Sequence, residues 1–243
     1  MKSQKTLLAL ALLASAAVTG TAQASLLDRG NGLLYDTVLN VTWLQDANYA
    51  NTSGYASATG GAMNWADANT WAAQLNFDGL SGWRLATNTP VSGGDNYDYN
   101  YSTNGTTDYG FNITSPNSEL AYMYNVNLGL KDYVNASGAV QANFGVFGNG
   151  TIGDQANVGL VNNLQADAYW SGAESEYSPG SGYAWYFNTN DGFQPYIYKD
   201  RQFYAWVVRS GDVSPVPVPG AVWLFGSGLL GLLSLKGRRG NIG

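Results

Sequence analysis

The sequence predicts an α+β fold. Helical periodicity falls early, at 64–75 and 116–128. Runs rich in aromatic and β-branched residues crowd the end, at 168–172, 183–188, 193–198 and 203–209. That segregation of helices and strands is the α+β pattern. Between them, residues 88–117 are mostly Asn, Asp, Gly, Ser, Thr and Tyr and follow neither period, so they read as a long loop of the kind that often carries function. Seven of the eight Trp and all 17 Tyr precede residue 215, enough aromatic area to build a core.

The elements follow in order. Short strands are expected at 32–35 and 38–44, where Leu, Tyr, Val and Trp recur. Residues 51–61 are small and polar and read as a loop. Asn64 is a good N-cap for the first helix, Asp67 sits at N3 near the positive end of the dipole, and Trp65, Ala68, Ala72 and Leu75 share one face. A strand is expected at 83–87. Ser115 caps the second helix, Pro116 suits its first position and Gly129 suits C′. Residues 134–165 carry no decisive pattern, and no fixed-period repeat is present.

Composition narrows the chemistry. The chain of 243 residues has no Cys and no His, which excludes disulfides, thiol catalysis, His-bearing triads and the usual zinc and copper sites. A metal site would need oxygen ligands and would suit calcium or magnesium. All 17 acidic residues lie between Asp28 and Asp212, with only six basic residues among them, a formal charge of −11 for that body. Such a surface repels phosphate backbones and disfavours nucleic acid.

Both ends read as addresses. Lys2 and Lys5 precede an apolar stretch from Leu7 to Val18, and Ala22-Gln23-Ala24 forms an A-x-A cleavage site. Residues 1–24 are thus a signal peptide, with Ser25 as the mature start. At the other end, residues 220–235 hold sixteen positions without a charge. As a helix they span roughly 24 Å, slightly short of a bilayer core of about 30 Å, and Val218 and Pro219 extend them, giving a membrane segment over about 219–235. Lys236, Arg238 and Arg239 follow, and by the positive-inside rule they stay cytoplasmic with the body outside. Within this stretch GSGLLG matches the letters of a dinucleotide-binding turn. It lacks the preceding strand and the acidic residue about 20 positions on. Its small residues, Ser227 and Gly231 four apart, suit a membrane helix instead.

The tail, Val-Pro-Val-Pro then WLFGSGLLGL then an arginine cluster, resembles a PEP-CTERM sorting signal over 213–243. Pro217, Val218 and Pro219 stand at the signature tripeptide, with Val218 where Glu is usual. Trp223 to Leu235 stand for the membrane segment, and Lys236, Arg238 and Arg239 for the basic stop. The resemblance implies recognition by an exosortase, a membrane intermediate, and final residence at the surface or in the biofilm matrix of a Gram-negative, exopolysaccharide-producing bacterium.

The body, 25–212, carries GLLYDTVLNVTWLQDANYA, NWADANTWAAQL, GWRLAT, SELAYMY, YWSG, AWYFN and AWVVRSGD in that order. It resembles the Lcl C-terminal-like domain family, which is similar in fold to C-type lectins. The most specific piece is Trp83-Arg84-Leu85, followed here by Ala86-Thr87 where the family usually has Pro-Thr. The resemblance implies a small twisted antiparallel sheet with two helices and long loops.

Candidate chemistry is sparse. Tyr97, Tyr99, Tyr101 and Tyr109 lie in the long loop, and exposed tyrosines stack well on sugar rings. Asp95, Asp98 and Asp108 in the same loop are the candidate calcium ligands, although an EF-hand register from Asp98 fails, with Thr103 at the sixth place and Tyr109 at the twelfth. Arg84 reads as a structural ion pair beneath the loop, stacking on Trp83, in preference to a clamp for an acidic ligand; Arg209 reads likewise. Glu174 and Glu176, two apart in a strand, would sit about 7 Å apart, within the range of an inverting glycosidase pair, but read better as two solvated glutamates. The expectation is an exported, non-enzymatic binding module with no obligatory cofactor, whose partners are the exosortase, the membrane before processing, and exopolysaccharide or another envelope component. A carboxylate-dependent glycoside hydrolase and a purely structural matrix protein are the alternatives.

Overall fold

The computed structural model describes residues 26–177 and 182–213. The two address segments lie outside them, including Ala22, Ala24 and Ser25 at one end and Pro217, Val218, Pro219, Trp223, Lys236, Arg238 and Arg239 at the other. No helix among the described residues is long and apolar enough to cross a membrane.

In chain order the first strands are β1 (Leu26–Gly30), β2 (Leu33–Asp36), β3 (Val41–Leu44) and β4 (Arg84–Leu85). The long loop contributes β5 (Tyr101–Ser102) and β6 (Tyr109–Gly110). Then come β7 (Gln155–Val158), β8 (Val161–Gln165), β9 (Ala168–Ser175), β10 (Tyr183–Asn188), β11 (Tyr196–Tyr198) and β12 (Val207–Ser210). The helices are α1 (Tyr49–Thr52), α2 (Trp65–Gln74) and α3 (Glu119–Tyr122). The fold is therefore mixed helix and strand, with strands in the majority.

A five-stranded antiparallel sheet in the order β1-β2-β3-β12-β4 brings the two ends of the described chain side by side. Its inner strands β2 and β3 are buried on both faces, and the side-chain period of two assigns each residue to a layer. Leu34, Val41, Trp43 and Val208 point into one core with Leu120, Ala121, Met123 and Tyr124. Leu33, Leu44, Leu85 and Val207 point into the other with Ala68, Trp71 and Ala72 of α2. The pairings Leu34↔Trp43 and Leu33↔Leu44 keep each face in register. The helical segments thus cover opposite faces of one sheet.

Helix α2 starts where its cap predicts. The Asn64 side-chain oxygen Oδ1 accepts the Asp67 N–H at 2.9 Å, and the Asn64 side-chain Nδ2 donates back to the Asp67 carboxylate at 2.7 Å. Two polar groups of the first turn are satisfied reciprocally, a contribution of about 1 kcal/mol. The second helix departs from expectation. It begins at Glu119, three residues after Pro116, because Pro116 and Asn117 form a turn closed by Ser118 N–H on Ser115 C=O at 3.1 Å, and Ser118 is held extended against Asn88. Thr89 N–H donates to Asn117 C=O at 2.7 Å, and Ser118 has φ −119° and ψ 98°. Tertiary pairing outweighs the cap signal. The helix continues as a π-turn over Met123–Asn127 and closes at Gly129, whose φ of +61° is the left-handed C′ conformation expected there.

Other boundaries shift for physical reasons. The expected strand at 38–44 starts at Val41 because the buried Asp36 carboxylate accepts the N–H groups of Val38 and Leu39, each at 2.9 Å, and makes a turn. The segment 51–61 holds a short 3₁₀ turn at Ser57–Thr59 as well as loop. The expected strand at 83–87 pairs only over Arg84–Leu85, although Ala86 still donates to Trp206 C=O. Residues 134–165, which carried no pattern, end in the β7–β8 hairpin, with Val161 and Leu164 buried in the core.

The late strands form a second sheet, antiparallel, in the order β11-β10-β9. Backbone bonds stitch it to the first: Gly172 N–H to Ala86 C=O at 2.9 Å and Trp170 N–H to Tyr204 C=O at 2.9 Å. This stitching places the β10–β11 hairpin beside the long loop.

Candidate functional site

The long loop is pinned at its base and again in its middle. At the base, Arg84 forms a bidentate pair with Glu119, both contacts 2.7 Å. Glu119 also accepts the Thr87 N–H at 2.7 Å. Arg84 therefore has the structural role expected of it, with a buried carboxylate as its partner in place of the Trp83 ring. The guanidinium beside Glu119 binds its proton more tightly than usual, chiefly through that hydrogen bond. Arg209 lies in β12, opposite Thr42 of β3.

In the middle, Asp108 is buried and acts as a staple. One carboxylate oxygen accepts the Val91 N–H and the other the Asp98 N–H, each at 2.8 Å. Burial pushes its carboxyl above the usual range, while the two backbone donors oppose that rise. Gly110 lets the two short strands β5 and β6 touch: a Cβ there would lie 1.9 Å from the Ser102 carbonyl oxygen. Tyr97 donates its hydroxyl to Asn88 C=O at 2.7 Å, and Asn88 in turn accepts from Ser171 of β9 at 2.6 Å.

These anchors lay the loop tyrosines against the β10–β11 hairpin. Tyr183 pairs with Tyr198 and Trp185 with Tyr196 across the two strands, so all four side chains share one face. Tyr99 stacks on Trp185 with an interplanar angle of 14° and a centroid separation of 5.4 Å. Tyr97 covers the same indole at 5.1 Å. Tyr196 meets Tyr99, Tyr109 and Tyr177 at 5.4, 5.6 and 4.8 Å. Tyr109 extends the tract to Tyr101 and Phe193, and Phe193 stacks on Phe111 at 4.7 Å. All four loop tyrosines singled out in the sequence belong to one continuous aromatic face. Its rim is open: Tyr101, Tyr177 and Tyr198 are 55%, 58% and 50% exposed. Burial pushes the hydroxyls of Tyr97 and Tyr196 up to about 12, so both stay neutral near neutral pH.

No family model, curated protein or solved structure matches the chain.

The three candidate calcium ligands do not converge. Both Asp108 oxygens already accept backbone N–H groups. Asp98 uses one oxygen on the backbone and side-chain nitrogens of Asn100, at 3.0 and 2.7 Å. Asp95 is exposed. Among the described residues no group of three or more acidic side chains has the geometry to hold a metal ion. Glu174 faces Lys199, with 2.8 Å between carboxylate and ammonium, and the same ammonium lies 4.3 Å from the centre of the Trp65 ring. Glu176 lies one residue past the end of β9, outside the strand that holds Glu174.

Sequence reasoning missed Tyr177, Tyr183, Tyr196, Tyr198 and Phe193 as members of the face. A signal was present. Asp191-Gly192 is a hairpin turn pair between two runs with aromatics at alternate positions. Pairing those runs across that turn puts the aromatics on one side.

Proposed function

We propose that the chain is an exported, non-enzymatic binding module that engages exopolysaccharide through the aromatic face. The observation that carries this is the continuity of that face: loop tyrosines and hairpin aromatics form one surface with three exposed rings along its rim. Aromatic faces present flat, apolar, weakly hydrated area to the C–H faces of sugar rings, while phenol hydroxyls supply hydrogen bonds at low entropic cost. The pinned loop adds preorganisation, so little ordering remains to oppose binding.

The C-type-lectin-like arrangement belongs to the same proposal. Support comes from the antiparallel sheet that joins both ends of the body, the two helical segments on its opposite faces, and the long loop between them. Delivery rests on the sequence of the two ends: a signal peptide removed before Ser25, and a PEP-CTERM tail handled by an exosortase after a membrane intermediate. In this reading the mature chain resides at the cell surface or in the matrix. The net charge of the body disfavours nucleic acid as a partner.

Two measurements test the proposal. Cell fractionation with intact-mass determination should find a surface species lacking residues 1–24 and the tail; an untrimmed cytosolic chain overturns the delivery. Pull-down with matrix polysaccharide, with and without calcium, should show saturable binding that the double substitution Tyr101→Ala/Tyr177→Ala weakens about tenfold or more. Failure to bind under both conditions overturns the module.

A further inference from the structure

The aromatic face is bordered by acid, and three of the six cations of the body are paired with acids elsewhere. Asp98 sits between Tyr97 and Tyr99 in the chain and is exposed. Glu176 is exposed beside Tyr177, and its N–H donates to the Tyr99 hydroxyl at 2.8 Å. Its charge reaches Tyr97 as well, where it adds to the burial that holds the phenol proton. Glu176 is thus anchored by its backbone beside Tyr99, and Asp98 is exposed in the same loop, with one carboxylate oxygen on Asn100.

The opposite charge is scarce. Between Arg84 and Lys199 the sequence has a single basic residue, Lys131. Arg84 is held by Glu119 and Arg29 by Asp212. Lys199 follows Tyr198 directly, yet its ammonium is paired with Glu174 and lies over Trp65. Arg201, exposed in the turn after Tyr198, is the cation nearest the rim in the chain, and an anionic polymer approaching the face would still meet a body of formal charge −11. A cationic one would meet tyrosine ring faces, which attract cations, with carboxylates beside them.

Resting on the glycan-binding reading above, we infer that the occupant of this face is an amine-bearing polysaccharide, a hexosamine chain with a fraction of free amino groups, and that uronate polymers are excluded. The sugar faces stack on Tyr101, Tyr177 and Tyr198, and the ammonium groups fall against Asp98 and Glu176. Charge complementarity selects this occupant over a neutral chain of the same shape.

The test uses the full chain in mild detergent at pH 6 and low salt. Three oligosaccharides of equal length serve as probes: partly deacetylated glucosamine, fully N-acetylated glucosamine and polyuronate. The amine-bearing chain should bind about tenfold more tightly than the acetylated one, with the gap closing as salt is raised, and polyuronate should not bind. Asp98→Asn/Glu176→Gln should abolish most of that preference, since both changes keep the shape and remove only charge. Asp78→Asn/Asp154→Asn, two exposed acids on other elements, should leave it intact and so separate local selection from attraction to the acidic body as a whole. Equal binding of amine-bearing and acetylated chains, preference for polyuronate, or equal loss in both double variants overturns the inference while leaving the binding module standing. Binding of none of the three overturns both.

Discussion

The tryptophans of the two buried cores and the tyrosines of the loop face are the same class of side chain put to opposite uses. Trp170 and Trp206 are wholly enclosed, and each indole N–H donates to a backbone carbonyl at 2.8 Å, that of Met63 and that of Leu44. Trp43 lies 4.8 Å from Trp206 in the same layer. The loop tyrosines pack ring on ring as well, but the tract ends in half-exposed rings that no second layer among the described residues covers. Packed aromatics therefore mark the core only where a second layer closes over them. Where the layer is missing, the same packing makes a rigid surface.

Truncation in the core should be the most damaging change. Trp206→Ala removes an enclosed indole shared by strands and helix and leaves the Leu44 carbonyl without its donor. A loss of about 3–5 kcal/mol is expected, read as a fall in the urea midpoint with little change in slope. A loss under about 1 kcal/mol would show that this layer is not the closed core described above.

The next effect sits beneath the loop face and depends on pH. Asp132 is buried, and its carboxylate accepts the N–H of Asn112, next to Phe111; Gly192, next to Phe193, packs against its other oxygen. The stacked Phe111–Phe193 pair thus rests on this carboxyl. Burial pushes it up to about 7, with the nearby Asp191 adding to the rise and the Asn112 N–H opposing it. An unfolded aspartate ionises near 3.8. Between these values the folded chain holds the extra proton, so the stabilising contribution is full below about pH 4 and is lost as pH rises to about 7. At roughly 1.4 kcal/mol per unit the span is on the order of 4 kcal/mol. Asp132→Asn should remove that slope and raise the melting temperature at pH 8 relative to the parent chain. Parallel pH profiles for the two proteins would break the assignment.

Much of this contrast could be read in the sequence, and the unread part has one cause. The first helix was legible because its start is a local event: Asn64 and Asp67 satisfy each other three residues apart. The left-handed Gly129 and the late aromatic strands were legible for the same reason, and so was the structural role of Arg84. What failed was long-range. The partner of Arg84 is Glu119, 35 residues away, and the pairing of Asn88 with Ser118 moved the second helix start. Strand β1 is a half-exposed edge, so its sequence lacks the apolar alternation that marks a buried strand. Tyr97, Tyr99, Tyr101 and Tyr109 stood out by composition, but the hairpin that completes their face lies about 75 or more positions along the chain. Asp108 likewise stood out by composition, but its role as acceptor for the Val91 and Asp98 N–H groups depends on partners 17 and 10 positions away.

The smallest expected change in stability is also the one that separates the two regions most cleanly. Tyr177 contacts Tyr99 and Tyr196 but leaves more than half of its surface in water. Tyr177→Ala should lower stability by about 0.5 kcal/mol or less, the ordinary range for a surface substitution. The deeper rings should stay in place, because Tyr99 remains stacked on Trp185 and Tyr97 remains bonded to Asn88. Tryptophan emission should accordingly keep its maximum, while affinity for the amine-bearing oligosaccharide falls several-fold. A large stability loss with a red-shifted emission would mean instead that Tyr177 props the face up, and that the rim belongs to the core after all.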